Sequence, residues 1–118
     1  MKKIDITWKL FVSYMFIILL ILLANSAFAQ IKAIHFNADW NSDNEVEWFE
    51  KLSDIKKEHM DIGEGDCQEK YKIAIVPTIV LFKDGEEVAR FQADLSFKML
   101  ATRKEIQEEI DEILMSDF

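Results

Sequence analysis

Cysteine, proline and glycine are scarce in this chain of 118 residues, which has one cysteine, one proline and three glycines. A single cysteine, Cys67, excludes an internal disulfide, so the folded part must be stabilised by burial of its core. So few glycines and prolines leave no flexible linker, and the sequence contains no internal repeat or low-complexity segment. These absences indicate one uninterrupted folded unit.

The longest apolar run lies near the N-terminus. Three lysines, at positions 2, 3 and 9, form a positive start, residues 10–24 are almost all apolar, and Ala27-Phe28-Ala29 has the small-x-small form of a cleavage site. This pattern predicts a signal peptide over residues 1–29 and one domain over residues 30–118, exported to an extracytoplasmic location, periplasmic or secreted. The alternative is an uncleaved membrane anchor, because residues 10–29 approach the length of a bilayer crossing.

Acidic residues outnumber basic ones by 22 to 14 in the whole chain. Three of the lysines and one aspartate fall in the first 29 residues, which leaves 11 basic and 21 acidic residues and a net charge of −10 in residues 30–118. Such a surface argues against nucleic acid or anionic lipid as a partner. A membrane becomes a partner only if the N-terminal segment is not cleaved.

The single proline interrupts an apolar run that otherwise has the composition of a strand. Proline has no N–H to donate, so the Val76-Pro77 step predicts that a strand begins at Thr78. This strand runs to Phe82, where an Asp-Gly pair predicts a tight hairpin and a return strand over residues 87–92.

Two serines precede helical patterns. Ser42 and Glu45 have the spacing of a capping box, which predicts a helix that begins near Asp43. Ser96 is predicted to cap the last helix, whose apolar positions fall largely on one face. With strands predicted at residues 31–38 and 58–62 and a short helix at residues 67–71, the order is strand-helix-strand-helix-strand-strand-helix.

Three segments resemble thioredoxins. Ile34-His35-Phe36-Asn37-Ala38-Asp39-Trp40 is similar to the strand that leads into their active site, Val76-Pro77-Thr78 resembles their cis-proline corner, and Ala93-Asp94-Leu95-Ser96 resembles the segment that opens their final helix. The resemblance implies an α/β protein with a minimal thioredoxin fold, in which a four-stranded mixed sheet carries helices on both faces. It also implies a cis bond before Pro77.

The redox motif of the family is missing. Thioredoxins follow their tryptophan with Cys-x-x-Cys, whereas Trp40 is followed here by Asn41-Ser42-Asp43-Asn44. Both cysteine positions, Asn41 and Asn44, are asparagines, so dithiol exchange is chemically unavailable at this site.

Three other side chains are candidates for chemistry. His35 occupies the position of the family's buried aspartate and is either a general base or pH sensor, or a hydrogen-bonded core histidine. Cys67 is either a reactive thiol at the start of a short helix or a small buried hydrophobe. His35, His59 and Cys67 lack close ligand spacing, so the sequence predicts no metal site and no cofactor.

The resemblance and the missing motif together predict an exported thioredoxin-like protein that is a non-catalytic binding or accessory module. Its expected partner is an extended peptide or another extracytoplasmic protein, held in a groove formed by Trp40, Val76 and Pro77. The alternative is an enzyme, a monothiol disulfide oxidoreductase that contributes to extracytoplasmic redox homeostasis through Cys67.

Overall fold

The computed structural model describes residues 2–26 and 30–116. Residues 2–26 form the helix α1 (Lys2–Ser26). In the described part of the chain, no helix has both the length and the apolar character that crossing a membrane requires. The predicted cleavage motif at residues 27–29 lies outside the described residues, and the signal peptide stays a prediction.

A four-stranded mixed sheet forms the centre of the domain, with the strand order β2-β1-β3-β4. Its elements, in chain order, are β1 (Ile31–Asn37), two 3₁₀ helices (Asp39–Asn44 and Glu47–Lys51), β2 (Lys56–Asp61), α2 (Cys67–Lys70), β3 (Thr78–Lys83), β4 (Glu86–Gln92) and α3 (Arg103–Met115). β1 pairs in parallel with β2 and antiparallel with β3, which in turn pairs antiparallel with β4. The predicted α/β class, the four-stranded mixed sheet and the minimal thioredoxin fold are confirmed.

The hairpin between β3 and β4 follows directly from the sequence. Asp84 and Gly85 both have positive φ, at 52° and 86°, as a two-residue turn of the primed type requires. Glycine adopts this conformation without steric cost, and aspartate tolerates it better than most residues do.

The sheet carries a hydrophobic cluster on each face, because both sides of the central strands β1 and β3 are apolar. One cluster includes Ala33 and Leu81 and packs against the second 3₁₀ helix and α3 through Phe49, Ile106 and Ile110. The other is built around Ile34, Phe36, Val76 and Val80, with Tyr71, which follows α2, packed against it. Both faces are therefore covered, although the helix that covers the second one has only four residues.

The predicted helix after Ser42 is wrong. Neither 3₁₀ helix has a side-chain cap, and the chain is extended at Glu45 and Val46, where ψ is 143° and 91°. In an α-helix the Val46 N–H would bond to a carbonyl four residues earlier, but here it donates to His35 Nε2 at 3.3 Å.

The predicted cap of the last helix is also wrong. α3 begins at Arg103, and Thr102 is its N-cap, accepting a hydrogen bond at Oγ1 from the Glu105 N–H at 3.2 Å. Ser96 lies instead in a tight turn, where its N–H donates to the Asp94 carboxylate at 2.8 Å. The chain needs this turn to bring Met99 back beside Ala93, with which it forms a β-bridge.

Candidate functional site

Asn41 and Asn44 follow the C-terminal end of β1, where thioredoxins carry their two sulfurs. Asn44 Nδ2 donates to Asn41 Oδ1 at 2.8 Å, so a side-chain hydrogen bond links the two positions. The pair has no group that can be oxidised or can attack a disulfide. At these two positions the chain has a side-chain hydrogen bond and no sulfur.

Asn41 is the centre of a larger network and is only 4% exposed. Its Nδ2 donates to Asn37 Oδ1 at 3.0 Å, to the Phe97 carbonyl at 3.2 Å and, in a long contact of 3.5 Å, to the Val76 carbonyl. This one amide joins the end of β1 to the proline corner and to the turn before α3. The sequence identified Asn41 as a lost cysteine but gave no signal of these distant carbonyls.

The proline corner lies in the interior. The Val76–Pro77 peptide bond is cis, and both residues are buried, with Val76 only 1% exposed. The Pro77 carbonyl accepts a hydrogen bond from the Ala93 N–H at 3.0 Å. Of the three residues predicted to form the groove, only Trp40 is accessible.

An exposed apolar surface lies beside this corner. Trp40 is 67% exposed, and its ring meets that of Phe97 edge-on, with centroids 5.1 Å apart. Leu95 is 93% exposed at the tip of the turn that also contains Phe97. We call Trp40, Leu95 and Phe97 the tryptophan surface. Only Trp40 is evident from the sequence, because the pattern around the other two predicts the start of a helix.

His35 lies in the core, 2% exposed, and takes part in a hydrogen-bonded chain with His59 and Glu50. Its Nε2 accepts from the Val46 N–H, so that nitrogen has no proton, and its Nδ1 lies 3.2 Å from His59 Nδ1. The ring proton of His35 is therefore on Nδ1, directed at His59, and His59 directs its own Nε2 proton at the Glu50 carboxylate. Burial, and then the charge of His59, lower the pKa of His35 from 6.5 to about 4, so this histidine is neutral at physiological pH.

An open cavity of about 360 Å³ adjoins the two histidines. Its charged lining residues are all acidic: Asp39, Glu45, Asp61 and Glu64. The pKa of Asp39 is raised, first by a hydrogen bond with the Asp61 side chain and then by the charge of that carboxylate. The like charges crowded here make the cavity attractive to a cation.

Cys67 is half-buried at the first residue of α2, and its Sγ donates to the Asp61 carbonyl at 3.1 Å. Burial raises the pKa of the thiol, and the charges of Asp61, Asp66 and Glu64 raise it further. A thiolate is the nucleophile in disulfide exchange, so each of these effects suppresses reactivity.

Alkylation of Cys67 by iodoacetamide is expected to be slower in the native protein than in the urea-unfolded chain. An unfolded cysteine, with a pKa of about 8.5, carries more thiolate between about pH 6 and 8 than the folded protein allows. Mass spectrometry of timed samples measures both rates, and Cys67→Ser is the blank. If the native protein is alkylated as fast as the unfolded chain, or reduces disulfides in a way that Cys67→Ser abolishes, then the Cys67 thiol is reactive and this prediction is wrong.

Comparison with known proteins supports the fold. No family model matches the sequence, and no curated protein matches it. Among solved structures, the chain is similar to a point mutant of the thioredoxin from Halobacterium salinarum NRC-1, at 25% identity over 72% of this chain and 75% of that one, with a TM-score of 0.57. A malaria parasite thioredoxin-2 has 17% identity over 71% and 84%, with a TM-score of 0.54, and thioredoxin O2 from Arabidopsis thaliana has 20% over 72% and 76%, with a TM-score of 0.50.

The fold and the site together define the class. The protein is thioredoxin-like, and with a single cysteine it has no Cys-x-x-Cys motif.

Proposed function

We propose that this chain is an exported, non-catalytic protein-binding module whose tryptophan surface holds an extended, apolar segment of an extracytoplasmic partner. The observation that carries the proposal is the exposure of Trp40 beside a site without sulfur. Tryptophan is the residue most enriched among those that dominate binding energy, and leaving it in water is unfavourable unless a partner covers it.

The tryptophan surface is held in place before any partner arrives. Phe97, which supports the Trp40 ring, is fixed through its carbonyl by Asn41 and through its N–H by the Asp94 carbonyl at 3.0 Å. A fixed aromatic contact loses little conformational entropy on binding. The Val76 carbonyl accepts a hydrogen bond from the Asn41 side chain, and the Pro77 carbonyl accepts one from the Ala93 N–H. Through these bonds the two residues support the tryptophan surface.

No observation favours the alternative of a monothiol oxidoreductase. The Cys67 thiol donates to a backbone carbonyl, lies among carboxylates and has a raised pKa. A binding function does not require a reactive thiol.

Peptides selected on the full-length protein from a display library of apolar, extended sequences test the proposal. Trp40→Ala is expected to weaken the binding of a selected peptide about thirtyfold, which corresponds to about 2 kcal/mol, and Leu95→Ser is expected to weaken it less. Isothermal titration calorimetry measures each affinity.

Val88→Ser is the matched control, because Val88 is also an exposed apolar residue but lies on β4, outside the tryptophan surface. Its affinity is expected to equal that of the wild type. The proposal fails if no peptide is selected, or if Trp40→Ala and Leu95→Ser bind as well as the control does.

A further inference from the structure

We propose that His35, His59 and Glu45 form a binding site for a divalent transition-metal ion of the zinc class. Their ligand atoms all lie within 4.8 Å of one another. The two Nδ1 atoms are 3.2 Å apart, and His59 Nδ1 is 3.9 Å from Glu45 Oε1. Two nitrogens bound about 2.0–2.1 Å from a tetrahedral zinc ion lie about 3.3 Å apart, so the histidines are already at the spacing that a metal requires.

The sheet register brings the two histidines together. In the parallel ladder of β1 and β2, His35 is the direct partner of His59, and paired residues of neighbouring strands project from the same face. Twenty-four positions separate these residues in the sequence, which is why their spacing shows no metal motif.

His59 is in the form that binds a metal. Its Nε2 proton is directed at Glu50, and this leaves a lone pair on Nδ1. A carboxylate that accepts the far proton of a ligating histidine is a common feature of zinc sites, because it fixes the ring and makes the ligand more basic. Glu50 supplies that contact from the second 3₁₀ helix.

Charge and space also favour a cation. Among the residues that line the adjoining cavity, Asp39, Asp61 and Glu64 add three carboxylates to that of Glu45, and there is no lysine or arginine. The cavity leaves room for a water molecule or one of these carboxylates as a fourth ligand. Two imidazole ligands favour zinc, copper or nickel over calcium or magnesium.

Binding has an identifiable cost at His35. Coordination through Nδ1 requires the ring proton to move to Nε2. There it faces the Val46 N–H, so two donors meet and the hydrogen bond from Val46 to His35 is lost. The affinity is therefore expected to be moderate, in the micromolar range. The same shift supplies a spectroscopic signature, because His35 changes from the Nδ1–H to the Nε2–H tautomer.

Zinc chloride titrated into the full-length protein is expected to bind at a single equivalent and to convert the ¹⁵N spectrum of His35 to the Nε2–H form. Glu45→Gln is expected to weaken zinc binding about tenfold and His59→Gln about a hundredfold. Both side chains are partly exposed, so these variants leave the core intact. The chain has only two histidines, which makes the assignment of their signals unambiguous.

Glu47→Gln is the matched control, because it removes the same charge from an exposed residue two positions away that is outside the cluster. Its affinity is expected to equal that of the wild type, and Cys67→Ser is also expected to bind zinc normally. The proposal is overturned if zinc does not bind at micromolar concentration, if Glu45→Gln and His59→Gln bind it as well as Glu47→Gln does, or if His35 keeps its Nδ1 proton in the zinc-bound protein.

Discussion

The metal-free protein is expected to lose about 3 kcal/mol of unfolding free energy as the pH falls from about 6.5 to about 4, through the titration of His35. Its pKa is lowered to about 4 in the folded state, mainly by burial. Between these pH values the unfolded chain binds a proton at this residue and the folded protein does not. Acidification therefore favours unfolding, whereas the full contribution of His35 is present above pH 6.5.

Urea unfolding with a chelator present, at a series of pH values, measures this loss. His35→Gln is expected to be less stable than the wild type at neutral pH, because it loses the hydrogen bond to His59, but the difference should shrink as the pH falls. Glu45, Glu50 and His59 also face His35, and all three are present in both proteins.

Phe49→Leu is the control for general destabilisation, because Phe49 packs against the His35 ring at a centroid distance of 5.4 Å and does not titrate. It is expected to lower stability by a similar amount at every pH. A wild-type pH dependence that persists unchanged in His35→Gln would assign the titration to another group.

Asn41→Ala is expected to lower the unfolding free energy by about 3 kcal/mol. The substitution removes the donor that serves the Asn37 side chain and the Phe97 and Val76 carbonyls, and an unsatisfied buried acceptor costs about 1–3 kcal/mol. It also removes the acceptor of the Asn44 amide. Thermal or urea unfolding at neutral pH measures the change.

Asn44→Ala is the matched comparison, because it deletes the same side chain at the half-buried partner position and breaks only the bond to Asn41. Its expected cost is about 1 kcal/mol. Equal losses in the two variants would show that the distant carbonyls do not depend on Asn41. The predicted difference means that Asn41 has a structural role, so a cysteine at this position would weaken the fold.

Local sequence signals located most of the elements. The apolar run of β1, the strand that begins after Pro77 and the Asp84-Gly85 turn depend on neighbouring residues, and the structure places all three where the sequence did. Two helix starts were wrong for a common reason. Ser42 and Ser96 have the right local chemistry for caps, but the backbone beside each makes a different contact. The Val46 N–H donates to His35 in one case, and Met99 forms a bridge with Ala93 in the other.

The candidate site was predictable only in part. The loss of both sulfurs and the presence of Trp40 could be read from the resemblance. Leu95 and Phe97 could not, since their position depends on a turn that resembled a helix start, and the bond from Asn41 to Phe97 joins residues 56 positions apart.

By itself, the sequence determined that this is a small thioredoxin-like domain without a dithiol, because strand, turn and motif signals are local and a missing cysteine needs no structure to be seen. Only the tertiary structure decided what surrounds the two motif positions. The Asn41 network, the exposed Trp40–Phe97 pair and the facing nitrogens of His35 and His59 all join residues that are distant in the chain. Sheet register and packing set those distances, and neither can be obtained from the local pattern of residues.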